Sequence, residues 1–189
     1  MGWTSYHATH YTRRGEIDRK AECDEQMSGT NSGGEKWEIL KSAMRGSVYY
    51  AAIRYTKTDG SSYVFGCVCL TSVDSSDYFN FSYKSMSEDM GPHESKCPLS
   101  ILSLLSPTES EFALAWRQRC RENAENKNSL GRLPVGAMIE FERHDGTTVR
   151  LEKRSPAYQF KTDWWKVVGE NHYFKKNHIP AAFRVVTAA

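Results

Sequence analysis

The stretch SVYYAAIRYTKTDGSSYVFGCVCLT, residues 47–71, decides how the first two thirds of the chain fold. Two runs rich in Val, Ile, Tyr and Thr flank Asp59-Gly60. Asp-Gly between two such runs is a strong hairpin signal, because a tight turn needs a residue that accepts positive φ. Val48, Tyr50 and Ala52, and then Val64, Gly66 and Val68, alternate with more variable positions, as a strand with one buried face requires. The spacing predicts strands over Ser47–Thr56 and Ser62–Thr71. Trp37–Met44, ahead of Arg45-Gly46, is a third, and the three form an antiparallel meander.

Working outward, Ser28–Glu35 is a Gly- and Ser-rich break with nothing to bury. Before it, Glu16–Met27 reads as a short helix, with Ile17, Ala21 and Met27 inward and Asp18 as N-cap if the helix starts late. After the meander, Pro98–Leu105 is apolar almost all round and reads as a buried helix. Ser106-Pro107-Thr108-Glu109 has the form of a capping box. The helix it opens runs to about Asn123, with Phe112, Trp116 and Cys120 on one face. Asn123–Gly131 is polar and ends in Gly, which predicts a linker or an exposed loop.

The last third changes character. Ala137–Arg143 and Thr147–Lys153 around His144-Asp145-Gly146 form a second hairpin. Tyr158–Lys161, Trp164–Val168 and Tyr173–Lys175 are further strands, and a tight turn at Asn177–Pro180 precedes Phe183–Val186. Short strands with one turn of helix before the last resemble an SH3-like small barrel in architecture. The expected fold class is α+β. Residues 1–127 form a domain with an antiparallel sheet and about three helices, and residues 128–189 form the barrel, beginning near Leu133.

Composition narrows the function classes. Of 189 residues, 39% are hydrophobic and 12% aromatic, enough for a core and too many for a disordered chain. No run approaches the ~18 apolar residues of a membrane helix. The N-terminus lacks the apolar core of a signal peptide, so a cytoplasmic protein with no membrane partner is expected. Five cysteines without a C-x-x-C spacing predict reduced thiols, and neither a metal nor another cofactor is expected. Phosphate-cradling loops of the G-x-x-x-x-G-K-[ST] and G-x-G-x-x-G types are missing, as is the G-x-S-x-G elbow of serine hydrolases.

Three patterns carry candidate chemistry with a bland counterpart. His7 and His10 stand at i, i+3, with Asp18, Glu22 and Cys23 able to complete a metal shell; Tyr- and His-rich segments also simply pack on sheets. Cys67 and Cys69 share a strand face and form either a thiol pair or ordinary core. Acids at Asp74–Asp77 and Glu88–Asp89 read as solvated loops, or as Mg²⁺ ligands of a nuclease.

Charge is the most informative pattern. Residues 1–127 carry 15 Lys/Arg against 17 Asp/Glu, whereas residues 128–189 carry 10 against 6. In that basic third, Lys153, Arg154, Lys161, Trp164, Trp165, Lys166, Tyr173, Lys175, Lys176 and Arg184 interleave rings with cations. Rings that face outward stack bases while Lys and Arg meet phosphates. Neighbours in a strand alternate faces, so one of Trp164 and Trp165 points outward. These ten residues are the candidate binding set.

The run Gly2-Trp3-Thr4-Ser5-Tyr6-His7-Ala8-Thr9-His10-Tyr11, continued by Ile17–Asp24, resembles an uncharacterised family from phages and mobile elements of gut Firmicutes. The resemblance continues through Leu40–Met44, Val48–Ala52, Leu70–Asp74, Met90-Gly91-Pro92 and Pro156–Thr162. It implies an accessory protein that counters host defence, as some type II anti-CRISPR proteins from this source do. The expected function is therefore inhibition by binding, without catalysis. The partner is a host defence protein or ribonucleoprotein such as a CRISPR effector, with DNA or RNA contact. The alternative is a small metal- or Cys-dependent enzyme acting on nucleic acid through His7, His10 and Cys23.

Overall fold

A computed structural model describes residues 2–74, 76, 80–143, 145–155, 164–180 and 183–186, and the chain divides into two compact units, Met1–Arg121 and Glu122–Ala189. In chain order the first unit holds β1 (Thr4–Tyr6), α1 (Arg19–Gln26), β2 (Gly29–Thr30), β3 (Lys36–Arg45), β4 (Val48–Thr56), β5 (Ser62–Val73) and β6 (Phe81–Ser87). A one-turn 3-10 helix at Glu88–Met90, α2 (Leu99–Leu102) and the start of α3 (Glu111–Arg132) follow. The sheet order is β1-β6-β5-β4-β3-β2, antiparallel throughout. The β4–β5 turn closes as its residues dictate. Gly60 takes φ +82°, its N–H donates to the Lys57 carbonyl, and the Asp59 carboxylate accepts the Ser61 N–H.

Strand β4 is buried on both faces, which explains its unbroken apolar run. Tyr49, Ala51 and Ile53 pack with Cys67, Cys69, Phe81 and Cys23 of α1. Tyr50, Ala52 and Val68 pack on the opposite face with Ile101, Leu102, Trp116 and Cys120. Asp18 caps α1 as its position suggests, its carboxylate accepting the Lys20 and Ala21 N–H groups.

Helix α3 is fixed on this sheet by a buried ion pair. Arg117 Nε donates to Glu88 Oε2 at 2.6 Å and Nη2 to Oε1 at 2.7 Å, while the Gly66 N–H also donates to Oε1 at 3.0 Å. Arg117 Nη1 satisfies the Ser106 carbonyl at 2.8 Å. Glu88 is therefore structural, neither a solvated loop acid nor a metal ligand in waiting. Trp116 lies against Gly66, where a Cβ would sit 2.8 Å from its Cζ3.

Three local expectations are corrected. The capping box does not form, because Ser106 bonds to β5: its hydroxyl accepts the Val64 N–H, and its own N–H donates to the Val64 carbonyl. The Ser110 hydroxyl instead accepts the Ala113 N–H at the start of α3. Asn123–Gly131 is helical, the last part of a 22-residue α3, because Leu130 is buried and holds that turn on a core. Pro98–Leu105 yields only the four-residue α2.

The second unit holds β7 (Met138–Glu142), β8 (Thr148–Arg154), β9 (Trp164–Val167), β10 (Tyr173–Lys175) and β11 (Arg184–Val186). They form one antiparallel sheet in the order β10-β9-β8-β7-β11. Leu130, Ile139, Leu151, Trp165, Val167 and Ile179 fill its core. The strand expected at Tyr158–Lys161 lies outside the described residues. The fold class is α+β with antiparallel sheets. Among the described residues, no helix is long and apolar enough to cross a membrane.

Because the Gly66 site is closed by an indole, Gly66→Ala is expected to destabilise the first unit by about 1–3 kcal/mol through overpacking. Urea unfolding followed by tryptophan fluorescence checks this; an unchanged midpoint would mean that Trp116 has room to yield.

Candidate functional site

Alternation along β8 sorts its side chains. Val149, Leu151 and Lys153 are buried, while Thr148, Arg150 and Arg154 are exposed. The register carries this division across the sheet. Arg154 pairs with Trp164 and Glu152 with Lys166; Trp164 in turn pairs with Lys175 and Lys166 with Tyr173. Glu140 stands opposite both Arg150 and Arg184. The outer face thus collects Arg150, Arg154, Lys166, Lys175 and Arg184, with Glu140, Glu142 and Glu152 as its carboxylates.

Within that face the charges are unevenly committed. Glu140 accepts from Arg150 Nε at 2.7 Å and from Arg184 Nη2 at 2.7 Å, and it is only 5% exposed. One carboxylate therefore holds two arginines on neighbouring strands. Arg154 Nη2 meets Glu152 at 2.8 Å. At the β9–β10 end the arrangement changes. Trp164 is half-buried, Tyr173 meets it edge-on at 6.4 Å between centroids, and Lys175 Nζ lies 5.9 Å from its ring centre. Arg154, Trp164 and Lys175 are consecutive partners across three strands, about 4.8 Å apart per strand. An aromatic surface flanked by cations on both sides can stack a planar base and meet the phosphates beside it.

The structure brings Arg154, Trp164, Lys166, Tyr173, Lys175 and Arg184 to this one face and removes others. Lys153 points inward, 4% exposed; its Nζ donates to the carbonyls of Leu133 at 2.7 Å and Gly131 at 3.2 Å. It caps the C-terminal end of α3, where a cation also complements the helix dipole. Lys176 is half-buried, its Nζ 2.7 Å from where a Cβ on Gly131 would sit. Trp165 is core at 1% exposure, so the outward ring of the pair is Trp164. Lys161 lies outside the described residues. The sequence reading missed Glu140 and Arg150; the available signal was same-face charge at alternate positions of β7 and β8.

The His7–Asp24 region does not assemble the catalytic set of the alternative. Glu22 is fully buried and accepts from the Tyr6 hydroxyl at 2.8 Å and from the Thr9 and His10 backbone N–H groups, so its carboxylate anchors the N-terminal segment. His10 Nε2 lies 3.1 Å from Glu25. Among the described residues, no three His, Cys, Asp or Glu are placed to hold a metal. All five thiols are free and buried. Contact with Cys23 and Cys67, together with burial, drives the Cys69 thiol far above its usual range, and burial pushes Cys120 up to about 11. A Cys nucleophile needs the opposite environment, exposed and beside a cation. The charged lining of an open groove of about 870 Å³ between α1 and β3 includes the pairs His10–Glu25 and Lys20–Asp24 alongside Lys36, Glu38 and Lys41.

A model of a domain of unknown function (DUF6927) matches residues 107–164. That span takes in α3 and the β7–β8 hairpin. Neither a curated protein nor a solved structure matches the chain.

Hydrogen bonds from Arg150 and then Arg184 hold the Glu140 carboxyl below its ordinary value of 4.5. A depressed folded-state value stabilises the fold above pH 4.5, and that stability is lost as pH falls through it. Glu140→Gln is therefore expected to flatten the acid side of a stability–pH profile measured by urea midpoints; parallel profiles for the two proteins would contradict it.

Proposed function

We propose that this protein acts by binding, and that the outer face of β8, β9 and β10 takes a nucleic-acid strand, free or displayed by a host ribonucleoprotein. The observation that carries the reading is Trp164, framed by Arg154 and Lys175 on adjacent strands and by Tyr173 at its edge. Rings supply sequence-tolerant stacking and cations supply phosphate contacts, the combination used for single strands. Arg150 and Arg184 are tied to Glu140, so the β9–β10 end of the sheet is the stronger attractor. A strand held this way is unavailable to the complex that uses it. The protein is then an inhibitor of a nucleic-acid-targeting defence complex, such as a CRISPR effector in a bacterial cytoplasm.

The strand order supports an SH3-like barrel as the scaffold. Four strands form a meander, a one-turn 3-10 helix follows at Lys176–His178, and β11 returns to pair with β7.

Fluorescence anisotropy with labelled single-stranded DNA, single-stranded RNA and a duplex tests the reading at low and high salt. The single strands are expected to bind more tightly than the duplex, with affinity falling as salt rises. Arg154→Glu, Lys166→Glu and Lys175→Glu combined should weaken binding at least about tenfold and lower the salt slope by about one for each phosphate that is no longer neutralised. Arg154 and Lys175 are exposed and Lys166 is half-buried on the outer face; surface substitutions usually alter stability by within about ±0.5 kcal/mol each, and a urea midpoint of the variant checks that it folds. Unchanged binding by the folded triple variant would place the functional surface elsewhere.

A further inference from the structure

The sheet of the first unit ends on a strand that is only partly covered. Strand β2 pairs with β3 at Lys36 and Trp37 and goes no further. From Glu38 to Arg45, β3 has β4 on one side and, among the described residues, no backbone partner on the other. The groove of about 870 Å³ between α1 and β3 runs beside this edge, with Lys36 to Ser42 in its lining.

Turn geometry fixes which groups the edge presents. Gly46-Ser47 is a two-residue turn, with Gly46 at φ +63°, and it closes the hairpin at Arg45–Val48. Such a turn makes the closing pair exchange hydrogen bonds, and bonded and non-bonded pairs alternate from there. Arg45, Ala43 and Lys41 thus direct their N–H and C=O to β4, while Met44 and Ser42 direct theirs outward. The bulge between Ile39 and Lys41 shifts the alternation, so Ile39 also faces outward, as does Trp37 where Gly29 meets it. An open edge of this kind accepts an extended peptide as an added strand.

Side chains define the chemistry that such a strand needs. On the α1 side the groove offers Trp37, Ile39 and Ala21, and its charges pair internally as Lys20–Asp24 and His10–Glu25. On the opposite side Lys36 and Lys41 are exposed, with no carboxylate at ion-pair distance among the described residues, whereas Glu38 is held by Arg54. A strand that alternates apolar residues toward α1 with acidic residues toward Lys36 and Lys41 complements both sides. A second copy of the chain does not. Antiparallel self-pairing gathers the lysines of both edges on one face, where like charges oppose each other.

We propose that the open edge of β3 is a docking site for an extended segment of a partner protein, alternating apolar and acidic residues, which adds to the sheet as a strand. The site is independent of the nucleic-acid reading of the β9–β10 face and stands whether or not that face binds.

The test uses the full-length ¹⁵N-labelled protein and a valine–glutamate repeat peptide, with a valine–lysine repeat as its counterpart. The acidic peptide should bind saturably, shift the amides of Ile39, Ser42 and Met44, and slow their hydrogen exchange. Ser42→Pro removes an outward N–H that β4 does not use and should abolish binding. Ser42→Ala loses the same hydroxyl but keeps the N–H, and should bind as before. Lys36→Glu combined with Lys41→Glu should weaken the acidic peptide at least about tenfold and favour the lysine peptide. Urea midpoints separate a lost edge from a lost fold, and the charge-reversed protein decides the matter if Ser42→Pro does not fold. Equal binding of the two peptides, no saturable binding, or acidic-peptide binding that survives charge reversal in folded protein would overturn the site. So would a single-stranded oligonucleotide that shifts the same three amides more strongly, or self-association that protects them without peptide.

Discussion

Glu88 carries a carboxylate into the first unit with Arg117 as its partner, at 2% and 7% side-chain exposure, and much of that unit's packing follows from this pair. Either charge alone in such a place would cost several kcal/mol, so each requires the other. Their union obliges the 3-10 turn after β6 to meet the first turns of α3. The second Glu88 oxygen accepts the Gly66 N–H at a point of β5 where the ladder to β6 has not yet begun. Gly66 must in turn lack a side chain for the Trp116 ring to approach the strand as closely as it does. One ion pair thereby selects a glycine, seats an indole and sets the register of a helix.

In the second unit the corresponding constraint is the pleat. Alternation sends Lys153 inward and Arg154 outward, and the register then assigns Trp165 to the core and Trp164 to the surface. Lys153 is tolerated inside because its ammonium replaces the missing partners of the helix-terminal carbonyls of Gly131 and Leu133. Of two adjacent cations, one therefore finishes a helix and the other stays on the outer face, paired with Glu152. The same pleat gathers Glu140, Arg150 and Arg184 into a triad that quiets one end of the face. The aromatic end keeps its positive character.

Features governed by neighbours in sequence were legible. The Asp59-Gly60 and Asp145-Gly146 turns, the Asp18 cap and the strand alternation each need only local chemistry, and the α+β class followed from them. Features decided by distant partners were not. Ser106 has the composition of an N-cap, but strand β5 offers it two backbone bonds, and Ser110 takes the capping role. Asn123–Gly131 looks like a linker until Leu130 finds a core to fill. Lys153 looked like a surface cation because the helix end it satisfies lies 20 or more residues away in the chain. The two-tryptophan alternation was readable as one in and one out; which ring faces solvent depended on pairing with β8.

We propose that the half-buried Trp164 ring of the β9–β10 end, with Arg154 and Lys175 beside it, is the surface that meets a nucleic-acid strand. Indole N–H resonances report it directly, since Trp3, Trp37, Trp116, Trp164 and Trp165 occupy distinct environments. Titrating ¹⁵N-labelled protein with a short single-stranded oligonucleotide at low salt should shift the Trp164 indole and the amides of Arg154, Lys166 and Lys175, reversibly with added salt. The Trp116 resonance should stay in place. Shifts confined to Trp37 beside the α1–β3 groove, or no shift at any residue, would contradict the account.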